Sequence, residues 1–133
     1  SEDVATNLQD GTFGMSEETA EKINGTIAAA VEEELGYGEA LGRRIYEEKP
    51  PFWQLSILGN AYRLGVPVTV HVGVGTDIVH QHPNAKGSAI GELSLRDFRI
   101  LAHVISKLGH GGVVVLAGST VILPEVFLKA LTV

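Results

Sequence analysis

The sequence predicts an α/β domain, a parallel sheet flanked by helices, with the sheet incomplete in this chain. Three observations predict it. Apolar residues recur at helical spacing as far as Leu64, and there the period changes. Residues 66–72 and 113–116 are nearly unbroken runs of β-branched and aliphatic side chains, the pattern of strands covered on both faces. One helical segment separates them, and strand, helix, strand at this spacing reads as a right-handed βαβ unit. Two strands are too few for a stable sheet, so the remaining strands are expected from an earlier part of a longer chain or from a partner chain.

Taken in order, Ser1-Glu2-Asp3-Val4 opens a short helix and residues 7–15 form a loop marked by Asp10-Gly11 and Gly14. Ser16 N-caps the next helix, with Glu17 and Glu18 in its first turn. Ile23, Ile27 and Val31 give that helix a narrow apolar stripe, and Gly36 after Leu35 stops it. A second helix over 39–48 carries Leu41 and Ile45 on one side and ends at Pro50-Pro51. A third, over 52–64, is closed by Gly65. Its apolar set (Trp53, Leu55, Ile57, Leu58, Ala61, Leu64) predicts burial. Pro67 suits only the start of the strand 66–72, and an irregular stretch covers 73–93. Ser94 then caps a helix over 95–108, with Asp97 as its partner in a capping-box variant. Leu95, Phe98, Leu101, Ala102, Ile105 and Leu108 share one face of that helix, while His103 falls on the polar side with Arg96, Arg99 and Lys107. Gly109, His110, Gly111 and Gly112 turn the chain into the second strand, Gly118-Ser119-Thr120 is a tight turn, and Pro124 suits the first turn of a last helix. The expected organisation is a single domain, or the C-terminal part of a larger one: helical over 16–64, βαβ over 66–117, and a terminal helix over 124–133.

A chain of 133 residues makes one domain. A net charge of −6, with no window rich in Lys or Arg, argues against a nucleic-acid footprint. The absence of cysteine excludes disulfides, thiolate metal sites and thiol nucleophiles, and it fits a reducing cytoplasm. The apolar runs fall far short of a membrane span, and the first residues lack the basic and apolar regions of a signal peptide. Both ends read as cut, so the chain is expected to be part of a longer protein.

Two places invite chemistry. In open α/β sheets ligands bind beyond the carboxyl ends of the strands. Here those ends are Gly73-Val74-Gly75-Thr76-Asp77 and Ala117-Gly118-Ser119-Thr120. Gly73, Gly75, Thr76, Gly118, Ser119 and Thr120 are the candidate cofactor contacts, because glycine admits close approach and amides at a helix start hold anions. Neither loop completes a G-x-G-x-x-G or a P-loop, and plain turn glycines are the competing account. The second place is Asp77, His80 and His82. A helical turn over 77–81 puts Asp77 and His80 on one face, the turn before Pro83 brings His82 near, and His71 is close enough in sequence to join. Such a group suits acid–base catalysis by a histidine oriented by a carboxylate. It also suits Zn²⁺, Mn²⁺ or Fe²⁺, although the spacing matches no established zinc signature. A purely structural use, bonding the loop backbone, stands beside both. Phe52 and Trp53, after two prolines, read as core or interface, and Ser119 lacks the second glycine of a nucleophile elbow.

Ser56-Ile57-Leu58 through Val66-Pro67-Val68, the Gly/Asp loop, Asp97-Phe98-Arg99-Ile100-Leu101, and the run from Val113 to Val121 together resemble the C-terminal half of deoxyhypusine synthase and its prokaryotic relatives. The likeness spans residues 53–123. Asp10-Gly11-Thr12-Phe13-Gly14-Met15 resembles the divergent relatives more than the synthase itself. The resemblance implies a Rossmann-like NAD-binding domain in a homo-oligomer, a tetramer or dimer, with small-molecule sites at subunit interfaces. In that family a lysine beyond the last of these strands forms an imine with the aminobutyl group. Ile122 stands in that place here, and Lys129 lies two turns further on. An imine cannot form at isoleucine. The family's Asp-Gly-Ser loop is replaced by Gly75-Thr76-Asp77. The resemblance therefore implies a site for NAD or a related nucleotide and a reaction other than deoxyhypusine synthesis; joined to the reading of the residues, it gives a nucleotide at the two glycine loops with His80 or His82 as the acid–base group. The alternatives are a metal-dependent hydrolase built on Asp77, His80 and His82, and a non-catalytic assembly subunit.

Overall fold

A computed structural model describes residues 17–109 and 111–133. In chain order its helices are α1 (Glu17–Ala30), α2 (Tyr37–Glu48), α3 (Ile57–Leu64), α4 (Gly87–Ser106) and α5 (Ile122–Ala130). Single 3-10 turns form at Trp53–Leu55 and Ile78–Gln81. The expected start at Ser1–Val4, the loop 7–15, the Ser16 cap and the turn at His110 lie outside the described residues.

Among the described residues there is no strand, so the fold is all-helical. This overturns the α/β, Rossmann-like parallel sheet expected above. Residues 66–72 and 112–117 take no regular secondary structure and enter no ladder. β-Branched runs bias the backbone towards extended conformations, yet a strand exists only when its amides and carbonyls pair with a neighbour. One amide that a ladder would use, that of Val70, donates instead to the Asp97 carboxylate at 2.7 Å. The second run is also not buried: Val113 is 79% and Val115 78% exposed.

The main core lies between α1, α2 and α4. Ile27 and Ala30, Tyr37 and Ala40, and Ala89, Ile90 and Leu93 form it, with Val70 and Val72 packed at its edge. A smaller core joins α4 to α5 through Ala102, Ile105 and Ala130, flanked by Phe98, Leu101 and Phe127. α2 and α3 approach closely because Gly42 faces the Leu58 carbonyl and Gly59 faces Ile45. Ser56 caps α3 by accepting the Gly59 amide at 3.1 Å. The expected third helix is thus split by its own cap. Leu55, Ile57 and Leu64, expected to be buried, are exposed.

α4 begins at Gly87, well before the expected start at Leu95. Gly87 and Gly91 weaken helix propensity locally, but Ala89, Ile90 and Leu93 all enter the core, and that burial outweighs it. Ser94 and Asp97 therefore sit inside the helix rather than at its cap. Asp97 is fully buried, and its Oδ2 accepts the amides of Gly38 at 3.0 Å and Val70 at 2.7 Å. Arg96, expected on the polar side, binds the open C-terminal end of α1. Its guanidinium donates to the carbonyls of Ala30, Val31 and Leu35 at 3.0–3.3 Å, and it pairs with Glu92 at 3.0 Å. A cation at a helix C-terminus satisfies carbonyls that the helix leaves unpaired. His103 is exposed, as expected.

Asp97→Ala leaves the buried amide of Gly38 and the half-buried amide of Val70 without an acceptor and is expected to cost about 2–5 kcal/mol, read as a lower urea midpoint. Gly38→Ala drives a methyl into the Val68 carbonyl and is expected to destabilise by about 1–3 kcal/mol or more in the same measurement. The pH dependence follows from burial, which pushes the Asp97 carboxyl above its ordinary 3.8 despite the opposing amides of Val70, Gly38 and Tyr37 and the charge of His71. Between the ordinary value and the raised one the folded state holds more protons than the unfolded chain, so this contribution to stability falls as pH rises. The stability of the parent relative to Asp97→Asn is therefore expected to decline across that window in urea titrations at successive pH values.

Candidate functional site

The first glycine loop is a closed turn. The Thr76 amide and hydroxyl both donate to the Gly73 carbonyl, at 3.0 and 2.6 Å, and Gly75 takes a φ of 90°. Asp77 then caps the 3-10 turn Ile78–Gln81, its Oδ1 accepting the Val79 amide at 3.2 Å. His80 completes the cap in reverse: its Nδ1 accepts the amides of Gly75 at 3.1 Å and Asp77 at 3.4 Å. The turn is anchored to α1 by Asn24, which is 2% exposed and donates to the Val79 carbonyl at 2.9 Å and to Asn84 Oδ1 at 2.7 Å.

The second loop leads into α5. Gly118 has a φ of 82°, and Ser119 Oγ accepts the Leu123 amide at 3.0 Å. The two loops meet. The Cδ1 of Ile122 lies 3.4 Å from where a Cβ on Gly73 would stand, beside the Thr76 side chain. At Gly75 and Gly118, by contrast, an added Cβ would have nothing within 4 Å, so the backbone there is open to approach. The hydroxyls of Thr76 and Ser119, expected as cofactor contacts, already hold the loops in shape. Gly73 is closed off by Thr76 and Ile122. Thr120 is exposed at the mouth of α5.

Asp77 and His80 are brought together, but through the backbone: the Asp77 amide, not its carboxylate, bonds the imidazole. His82 stands apart, its Nδ1 accepting the Asn84 amide at 3.3 Å. Among the described residues no group of three His, Asp or Glu side chains could hold a metal ion. An Nδ1 that accepts an amide leaves the neutral ring's proton on Nε2, so His80 and His82 are both Nε2–H donors. The Nε2 of His80 is buried without a protein partner.

His71 joins a different group. Its Nε2 lies 2.9 Å from Thr69 Oγ1. Burial pushes its pKa below the ordinary histidine value, and the Asp97 charge opposes that shift. Burial raises the Tyr37 hydroxyl, and the Asp77 charge adds to the rise. Sequence reasoning missed Asn24, Tyr37 and the tertiary role of Asp97. For Asp97 a signal existed: it lies four residues from both Leu93 and Leu101, on the apolar face of its helix.

Two apolar grooves lie elsewhere. One, of about 250 Å³, runs between α2, α3 and residues 66–68 and is lined by Leu58, Ala61, Tyr62, Val66, Val68 and Ile100 among others. The other, of about 410 Å³, lies between α4 and the end of α5, with Arg99 and His103 in its wall. Neither includes Asp77, His80 or the glycine loops. No protein-family model, curated protein or solved structure matches this chain.

The neutral form of His71 is favoured by the fold, so its contribution to stability is present above the ordinary value of 6.5 and is lost as pH falls through its lowered pKa. Titration of the imidazole by NMR is expected to give a midpoint below 6.5. Asp97→Asn removes the opposing charge and is expected to lower that midpoint further. A midpoint that rises in the variant contradicts the assignment.

Proposed function

We propose that this chain binds NAD or a related nucleotide where the loop 73–77 meets residues 118–122, and that it performs no imine chemistry there. The observation that carries this reading is the contact of Ile122 with the Gly73–Thr76 turn. It joins into one surface the two glycine loops that the resemblance to deoxyhypusine synthase assigns to one ligand. The reading no longer draws on a sheet. It rests on backbone that a phosphate-bearing ligand can approach, at Gly75 and Gly118, both in the left-handed region that favours glycine. The residues present fit such a ligand through their backbone more than through hydroxyls, since those of Thr76 and Ser119 are already engaged. NAD, when bound, would supply a hydride acceptor. The chain's own part would be to hold it with the open backbone of the two loops at Gly75 and Gly118. The alkyl side chain of Ile122 gives no amine for an imine.

Differential scanning fluorimetry with NAD, NADH and an unrelated nucleotide tests the reading. A ligand at a hundred times its Kd stabilises by about 2.7 kcal/mol, which raises Tm by several degrees for a domain of this size. Gly118→Val places a β-branched residue at a left-handed φ in the open face and is expected to abolish the shift. An unchanged Tm in the parent at millimolar ligand sinks the proposal.

A second reading, an assembly subunit, is favoured by the exposed apolar run from Val113 to Leu116. Burying one such side chain in a partner is worth about 1.5–3 kcal/mol. Light scattering is expected to show self-association that Val115→Lys reduces; a parent chain that stays monomeric at high concentration removes this reading.

A further inference from the structure

Three aromatic residues, Tyr46, Trp53 and Tyr62, form a corner at the end of α2. Tyr46 meets Trp53 edge-on, with ring centroids 5.8 Å apart and planes at 74°. Tyr62 of α3 backs Tyr46 at 5.9 Å. The chain's own cation already sits in this corner. Lys49 Nζ lies 5.9 Å from the centre of the Tyr46 ring and 5.8 Å from that of Trp53, within the reach of about 6 Å over which a ring face attracts a cation.

Two further features favour positive charge here. Lys49 is the C-cap of α2, so the partial negative charge of a twelve-residue helix ends at the same place. The chain as a whole carries a net charge of −6. The connection is also well defined. The Lys49 amide donates to the Ile45 carbonyl at 3.1 Å, the Trp53 amide donates to the Pro50 carbonyl at 3.0 Å, and Pro50-Pro51 restricts the residues between. Lys49 itself has a φ of 47°, a conformation in which a side chain is disfavoured and glycine is the usual occupant.

We propose that the Tyr46–Trp53 corner is a binding site for a methylated ammonium group, with Lys49 as a built-in occupant that such a ligand displaces. A primary ammonium is strongly hydrated and gives up water reluctantly against a ring. A quaternary ammonium spreads the same charge over methyl groups that pack on both rings, the chemistry by which aromatic cages select it. The proposal is independent of the nucleotide reading, whose loops share no residue with this corner.

Trp53 is the one tryptophan of the sequence, so its fluorescence reports on the site directly. The full chain is titrated with tetramethylammonium chloride against sodium chloride at equal ionic strength, with tert-butanol as a neutral analogue. A saturable change with tetramethylammonium, and none with tert-butanol, is expected. Lys49→Gly suits the left-handed cap and removes the competitor, and it is expected to tighten binding by about tenfold, a change of about 1.4 kcal/mol. Tyr46→Leu is expected to weaken it and Tyr46→Phe to retain it, with far-UV circular dichroism reporting helix content in each variant. A peptide carrying trimethyl-lysine separates the sources: tighter binding than tetramethylammonium assigns the site to a modified side chain, and weaker binding assigns it to a free cation. The proposal is overturned if Lys49→Gly shows no saturable response, if tert-butanol matches tetramethylammonium, or if removing Lys49 brings no gain.

Discussion

The carboxylate of Asp97, fully buried in the middle of α4, is the point at which three parts of the chain are held together. Its Oδ2 accepts from the first turn of α2 and from the segment 66–72. Removing a carboxylate from water is costly, and the two amides offset much of that cost because each would otherwise be a wholly or partly buried donor without an acceptor. The offset is incomplete, as the upward displacement of the carboxyl shows. Close approach is possible only because the residues opposite are Gly36 and Gly38: a Cβ at Gly36 would collide with Asp97 Oδ1, and one at Gly38 with the Val68 carbonyl. The neighbouring Arg96 extends the same junction to α1 by donating to the carbonyls at its end. Two consecutive residues of α4 thus tie down α1, α2 and the segment that leads to the first glycine loop.

That junction sets where the candidate site lies. With Val70 bonded to Asp97, residues 66–72 run along the helical core and deliver Gly73 beside Ile122. Asn24 pins the 3-10 turn from the other side, and Asp77 and His80 cap each other's backbone. The result is a loop whose polar side chains mostly maintain its own shape. What it presents outward is glycine backbone at Gly75, while the Nε2 of His80 is buried beneath it without a protein partner.

Much of the local punctuation was legible in the sequence. The stops at Gly65 and after Glu48, the turn at Gly118 and the helix carrying Pro124 in its first turn follow from residues whose backbone preferences act over one or two positions. The clustering of Asp77 with His80 was legible too, though not the manner of it, since a carboxylate orienting an imidazole and an amide orienting it leave the same spacing. What misled was the reading of Ser94 and Asp97 as a cap and of two β-branched runs as paired strands. An aspartate three residues after a serine carries the same local signature at a helix start as in a helix interior. Only the partner that reaches its oxygens distinguishes the two.

The sequence by itself determined where several of the helices lie and stop, the glycine turns, and the absence of thiol chemistry. These depend on residue identity and on interactions along the chain. The tertiary structure alone decided that the β-branched runs form no sheet among the described residues, that Asp97 and Arg96 are junctions, that His82 stands apart from Asp77 and His80, and that Tyr46, Trp53 and Lys49 meet. Each of these depends on which distant amide, carbonyl or ring comes within bonding distance, and helix packing around a shared core settles that.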